Sequence, residues 1–386
     1  MTTPARRIAV SNIGGYIPGL NAVLLGVVRA AFQLGWEVVG IRDGFDGLLF
    51  PDRYPHGGVV TLSPEVTDRL SASDAPLLGT AGRTDPFRVR RINKDNQVEE
   101  VDRSGDLLEA IRAQNISAIV SVAGMERLSQ LLKLHRKGAQ IVCVPASVEN
   151  DVSATQLSFG FNTTLTCAVD MIERARQAAQ SSQKIGVVEI LGRHTGWLAL
   201  QAGIAAGADA VLIPEIPYDI HKLADFFQGR QTRDNHCGLV VVAEGSESIT
   251  SRNAATATNA SHALKASLAP LATGSESVHV IERSGQAAKA VANELQRLTG
   301  EETYPIVLGQ LIKSGTPTAV DRQLGLGYGA AAVRAVNEEH SGVMVAFEPP
   351  QLKYVPLPET INRIRAVPPD SLFLQTARSL GISLGE

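Results

Sequence analysis

The sequence predicts an α/β chain built on open, largely parallel sheets, on three observations. First, residues 7–11 (RIAVS) form a short apolar run that meets Gly14 and Gly15, and a helical pattern at 22–34 follows, closed by Gly35. The next apolar run, 37–41 (EVVGI), completes a strand, glycine loop, helix and strand, the signature of parallel strands buried on both faces. Second, this alternation recurs along the chain. Third, many of the 35 glycines fall where strands end, the edge at which open α/β sheets bind ligands.

Residues 107–114 read as a helix, 118–122 (AIVSV) as a strand, 128–137 as a helix and 141–144 as a strand. A long helical pattern covers 165–179, followed by a strand at 185–190, a helix at 198–206 and a strand at 210–213. Residues 245–276 break the alternation: Ser, Ala, Thr and Asn dominate and large apolar residues are few, as in an exposed insertion. Beyond it come a helix at 287–298 closed by Gly300, a strand at 306–308, a helix at 326–337 and a strand at 343–347. No tandem repeat is evident.

A length of 386 residues suggests two or three domain-sized units, since single cores seldom grow past about 250–300 residues. With 44% apolar and 19% charged residues, the composition is opposite to that of a disordered chain. A net charge of −3 offers no basic excess for nucleic acid. Apolar stretches such as 199–206 and 330–333 fall short of the roughly 20 residues of a membrane helix. Residues 1–8 carry Arg6 and Arg7 but no apolar h-region, so a cytoplasmic protein is expected. Cys143, Cys167 and Cys237 are widely spaced, without CxxC, and read as reduced thiols rather than a disulfide frame or zinc site.

Four strand-end loops carry side chains with chemical potential. Residues 14–19 (GGYIPG) combine a glycine turn with a helix start, where backbone amides bind phosphate oxygens; the spacing fits neither Walker nor GxGxxG patterns, and a plain βα turn is the alternative. Residues 123–127 (AGMER) place bulky side chains and an anion after a strand, which also reads as a packed turn with a Glu–Arg surface pair. In residues 145–151 (PASVEND), Glu149 and Asp151 lie two apart with Ser147 nearby, a set able to supply a general base and an orienting partner or an ordinary capped turn. Residues 191–196 (LGRHTG) offer Gly192 for close backbone approach and Arg193 as an anion contact, while His194 reads as a base or a structural donor. Their shared place after strands points to one ligand site.

The chain resembles the phosphofructokinase family over almost its whole length. The resemblance rests on IGGYIPGLNAVLLGVVRAA, GWEVVGIRDGFDGLL, LLGTAGRTDPF, SFGFNTTL, VVEILGRHTGWLALQAGIAAGADAVLIPE, VLGQLIKSGTPTAVDR and the ending VPPDSLFLQTARSLGISLGE. That ending is similar to the bacterial branch containing pyrophosphate-dependent and related ATP-dependent members. The resemblance implies a phosphofructokinase-like fold of two open-sheet α/β domains with a cleft between them. By analogy a donor-side domain covers 1–160, with part of 312–365 returning to it. An acceptor-side domain covers 161–311 with the 245–276 insertion, and 366–386 forms a C-terminal segment. The implied activity is phosphoryl transfer from ATP or pyrophosphate, with Mg²⁺, to the 1-hydroxyl of fructose 6-phosphate. Dimers or tetramers that share site residues are also implied.

Position by position, the resemblance implies donor contacts at Gly15, Tyr16, Arg83, Gly124, Met125 and Arg127. It implies catalytic carboxylates at Glu149 and Asp151, and acceptor contacts at Ser147, Gly192, Arg193, Glu244, Gln310, Lys313, Lys184 and Tyr304. Many of these depart from the family pattern. Tyr16 stands where members carry the acid of GGD, and Met125 where they carry the Asp that holds magnesium. A thioether is no ligand for so hard a cation, and no metal ligand is assigned. Glu126 and Arg127 replace a small pair, and Ala146 occupies the Gly-or-Lys position that tends to separate ATP from pyrophosphate users. Glu149 replaces the catalytic Asp, one methylene longer. Gln310 and Lys313 replace His and Arg, and Lys184 and Tyr304 replace two arginines lent by a neighbouring subunit, losing forked cations. These departures point to a non-catalytic or regulatory paralogue, forming a homo-oligomer or assembling with an active relative or another protein. The alternatives are a phosphotransferase with another acceptor or donor, or a divergent 6-phosphofructokinase; Mg²⁺ with ATP or pyrophosphate is then the expected requirement.

Overall fold

Apolar runs buried on both faces become the central strands of two separate sheets. The computed structural model describes residues 6–67, 70–71, 75–80, 82, 84–93, 96–230, 237–252 and 285–386. Arg83 and the 245–276 insertion from residue 253 onward lie outside the described residues. The chain divides into two compact units: Met1–Val148, Val152–Asn162 and Gly315–Arg363 form the first, and Glu149–Asp151, Thr163–Ser314 and Ile364–Glu386 the second. Residues 149–151 thus group with the second unit although the chain on either side belongs to the first. Residues 366–386 pack within that second unit rather than standing apart.

In the first unit, β1 (Arg7–Asn12), β2 (Glu37–Ile41), β3 (Val59–Leu62), β6 (Ala118–Ala123), β7 (Ile141–Pro145), β12 (Val343–Glu348) and β13 (Gln351–Pro356) form one sheet. Its order is β13-β12-β7-β6-β1-β2-β3. The five inner strands run parallel, while β3 and β13 pair antiparallel at the edges. The order reverses between β1 and β6, the switch point at which open sheets leave a crevice. Strands β4 (Val89–Ile92) and β5 (Val98–Val101) make a separate antiparallel hairpin. Sequence periodicity missed this hairpin, β3 and β13, because these short edge or hairpin strands leave most of their residues exposed or half-buried.

Helix α1 (Leu20–Gln33) follows β1, α2 (Asp46–Leu49) and α3 (Pro64–Thr67) are single turns, and α4 (Ser104–Ala113) and α5 (Leu128–Arg136) flank β6. In the second unit, α6 (Phe161–Ser182) leads to β8 (Ile185–Ile190), α7 (Trp197–Ala205), β9 (Ala210–Leu212), α8 (Ile220–Arg230) and β10 (Gly238–Ala243). Helix α9 (Gln286–Thr299) and β11 (Thr303–Val307) complete an all-parallel sheet of order β11-β8-β10-β9. Strand β10, unassigned in the sequence, is buried along its whole length. Strand β11 spans 303–307 rather than the expected 306–308, because it is an edge strand with most residues exposed.

Helix α10 (Ala319–Asn337) returns to the first unit and begins seven residues before the expected start, capped by Thr318 Oγ1 accepting from Asp321 N–H at 3.4 Å. Its early glycines, poor helix formers, hid that start, and packing explains them. A Cβ on Gly26 of α1 would overlap the Leu326 carbonyl oxygen, and one on Gly329 would overlap that of Val23. The two helices therefore cross backbone to backbone. Gly26→Ala should force them apart and destabilise the protein by about 1–3 kcal/mol, the usual cost of overpacking. A lowered urea midpoint at unchanged slope is the expected readout.

No described helix is long and apolar enough to cross a membrane.

Candidate active site

Each unit gathers strand-end loops at the carboxyl edge of its own sheet. In the first unit these follow β1, β6 and β7, which are neighbours in the sheet. Asn12 ends β1 and organises the glycine turn: its Oδ1 accepts from Gly14 N–H at 3.2 Å, and its Nδ2 donates to the Gly79 carbonyl at 3.4 Å. A Cβ on Gly14 would lie 3.8 Å from the Gly124 amide nitrogen, so the two glycine loops adjoin. Gly15 faces open space, with nothing within 4 Å of an added Cβ, and Tyr16 is exposed. Bare backbone at a switch point suits phosphate oxygens.

Beyond Gly124 the loop carries bulkier side chains. Met125, expected as a donor contact, is partly buried and packs against the hydrophobic core of the first unit. The Glu126 carboxylate curls back over Gly124, its Oε2 lying 2.7 Å from where a Cβ would sit. Arg127 N–H closes the short 3-10 turn on the Gly124 carbonyl at 3.0 Å, and its side chain is half-buried. Ser147 stays with the first unit, its N–H directed to the Phe159 carbonyl at 3.4 Å.

In the second unit the ends of β10, β8 and β11 lie side by side. Gly192 follows β8 at φ 146°; a Cβ there would come within 2.9 Å of both Ala243 and the Thr195 carbonyl oxygen. Its own carbonyl accepts from Gly245 N–H at 3.0 Å, and Glu244 N–H donates to the Ile190 carbonyl at 3.0 Å. This knot presents the Arg193 N–H to Glu149, whose Oε2 accepts it at 3.1 Å. Burial, foremost, then the negative charges of Asp151 and Glu244, push the Glu149 carboxyl from its ordinary 4.5 up to about 8; the Arg193 hydrogen bond and the Lys313 ammonium oppose them. Glu244 is also raised, first by burial and then by Glu189, against the pull of Arg193 and Lys313. Glu149, Asp151, Arg193, Glu244 and Lys313 thus form one electrostatic group.

Three expected acceptor contacts stand outside that group. Lys184 precedes the amino end of β8 and pairs with Glu302 at 2.6 Å, and Tyr304 sits opposite Gly186 near the same end, 47% exposed. Both therefore lie toward the sheet edge opposite Arg193 in their own unit. Gln310 is exposed on the turn that carries Lys313.

Sequence reading missed several supports. Glu189, buried inside VVEI, accepts from Gly285 N–H at 2.5 Å and Ala288 N–H at 2.9 Å, capping α9. A charged residue inside an otherwise apolar strand was the available signal. Glu215 accepts from Gly196 N–H at 3.0 and 2.9 Å and from Val367 N–H at 2.9 Å. No local pattern announces such a long-range bond.

A phosphofructokinase family model matches residues 7–336. The chain belongs to the phosphofructokinase family. Full-length relatives agree: it is 36% identical to the ATP-dependent 6-phosphofructokinase of Chloroflexus aggregans, over 100% of this chain and 99% of that protein. It is 32% identical to the pyrophosphate–fructose 6-phosphate 1-phosphotransferase of Amycolatopsis methanolica, over 94% and 97%. The fold is similar to that of the pyrophosphate-dependent phosphofructokinase of Marinobacter aquaeolei, with TM-score 0.72, 19% identity and coverage of 98% and 88%. For this phosphofructokinase-family chain, the raised Glu149 has a consequence for stability. A carboxyl whose value rises on folding stabilises fully below 4.5, and that contribution is lost as pH climbs through about 8. Glu149→Gln keeps an oxygen for the Arg193 N–H but cannot ionise. Its urea midpoint should therefore rise relative to the wild type across that interval, whereas a constant difference would refute the raised carboxyl.

Proposed function

We propose that this chain is an active phosphotransferase, moving a phosphoryl group from ATP or pyrophosphate to a sugar hydroxyl, with fructose 6-phosphate as the first acceptor to test. The observation that carries the proposal is Glu149, held on the Arg193 N–H with its carboxyl tuned near neutrality. A base of that strength suits proton removal at ordinary pH. Glu149 takes the acceptor hydroxyl's proton as its oxygen bonds to phosphorus, and the bond to the donor's leaving oxygen breaks. Arg193 and Lys313 supply positive charge beside Glu149. Phosphoryl transfer depends mainly on such positioning and charge.

Magnesium would arrive on the donor phosphates, as part of the substrate. Among the described residues no group of three His, Cys, Asp or Glu could hold it, and Met125 is turned to the core. The substitutions that suggested a non-catalytic paralogue fall on the donor positions Tyr16, Met125 and Arg127 and on the acceptor positions Gln310, Lys313, Lys184 and Tyr304. The base and its cluster remain, and the names of full-length relatives support turnover. Exposed Tyr304 and Leu311 beside the edge strand support the expected homo-oligomer.

Phosphorus NMR with fructose 6-phosphate and each donor in turn, with Mg²⁺, should show transfer. Glu149→Gln and Asp151→Asn should each lower kcat roughly a hundredfold or more. Donor binding by calorimetry without transfer would redirect the search to another acceptor, and no donor binding would restore the non-catalytic reading.

A further inference from the structure

We propose that Arg365, stacked on Trp197, is a positioning residue that fixes the backbone between Glu149 and Asp151; this rests on the phosphotransfer reading of the site. Asn150, between the two carboxylates, sits at φ 56°. Asn tolerates this left-handed conformation better than most residues, yet the turn is also held from outside. Arg365 N–H donates to the Asp151 carbonyl at 2.9 Å, and Arg365 Nη1 approaches the Asn150 carbonyl at 3.4 Å. Two successive carbonyls of the turn are thereby engaged by one residue, 214 positions further along the chain from Asp151.

Arg365 is itself pinned. Its carbonyl accepts from Trp197 Nε1–H at 2.8 Å, and its guanidinium carbon lies 4.1 Å from the centre of the Trp197 ring. Trp197 is buried and opens α7, directly after the turn that carries Arg193. Two residues past Arg365, Val367 N–H meets the Glu215 carboxylate that also holds Gly196 N–H. One frame thus grips the turn at two places, the Glu149 carboxylate through Arg193 N–H and the Asn150 and Asp151 carbonyls through Arg365. The guanidinium addresses a carbonyl and a ring, the arrangement of a clamp on backbone. Reaction rates are sensitive to about 1 Å of misplacement.

Arg365→Met keeps an apolar stem over Trp197 and the backbone N–H to Asp151 but removes the guanidinium donor to the Asn150 carbonyl, while Arg365→Lys keeps a cation and a side-chain donor. In the Met variant, amide exchange should accelerate at 149–152 and at Arg193. Its kcat should fall roughly tenfold to a hundredfold, with acceptor KM moving less than about threefold, as for an interaction made in the transition state. The acid limb of kcat should shift to lower pH as water reaches Glu149, which faces Asp151, Glu244, Lys313 and the Arg193 N–H. Arg365→Lys should recover most of each effect. Unchanged exchange in the Met variant overturns the clamp, as does a kcat loss fully matched by loss of folded protein with the acid limb unmoved. A wild type without turnover overturns the phosphotransfer reading, and the exchange measurement then decides the clamp alone.

Discussion

The hydrogen bond from Arg193 N–H to Glu149 is the constraint around which the second unit is arranged. It demands a backbone amide pointing away from its own sheet, which Gly192 provides at φ 146°. It also demands that a carboxylate be brought into low-dielectric surroundings beside Asp151 and Glu244, an unfavourable arrangement for an ionised group. Lys313 and the amide offset part of that cost. What remains is a carboxyl prepared to hold or release a proton near neutral pH.

The two units carry different histories in their loops. In the second unit, the group around Glu149 keeps its charges in mutual reach. In the first, the loop after β6 is taken up by packing: Met125 serves the core, while Glu126 folds over Gly124.

Much of the fold was legible because the inner strands are apolar on both faces and end in glycine. RIAVS, AIVSV and the 185–190 run lie within β1, β6 and β8. Edge elements were not legible, since β5 and β13 alternate polar residues in ways that also describe loops. The start of α10 was hidden because glycines at 325, 327 and 329 lower helix propensity, while the value of Gly325 and Gly329 lies in the approach of α1. At the site, Glu149, Asp151, Arg193 and Glu244 were identified from loops and resemblance, and the structure brings them together with Lys313. Spacing does not reveal that Lys184 is occupied by Glu302, nor that residues near the end of the chain hold the turn at 150.

That last feature bears on how the protein is made. Both units are discontinuous: the first needs Gly315–Arg363 to supply α10 and two strands, and the second needs Ile364–Glu386. A nascent chain leaves the ribosome from its amino terminus, so Glu149 emerges long before the peptide that steadies it. Neither unit can close until its late segment has emerged. A product truncated before residue 364 would carry every residue of the reactive cluster and yet lack the strap at its back, so possession of the reactive residues alone would not make the site competent.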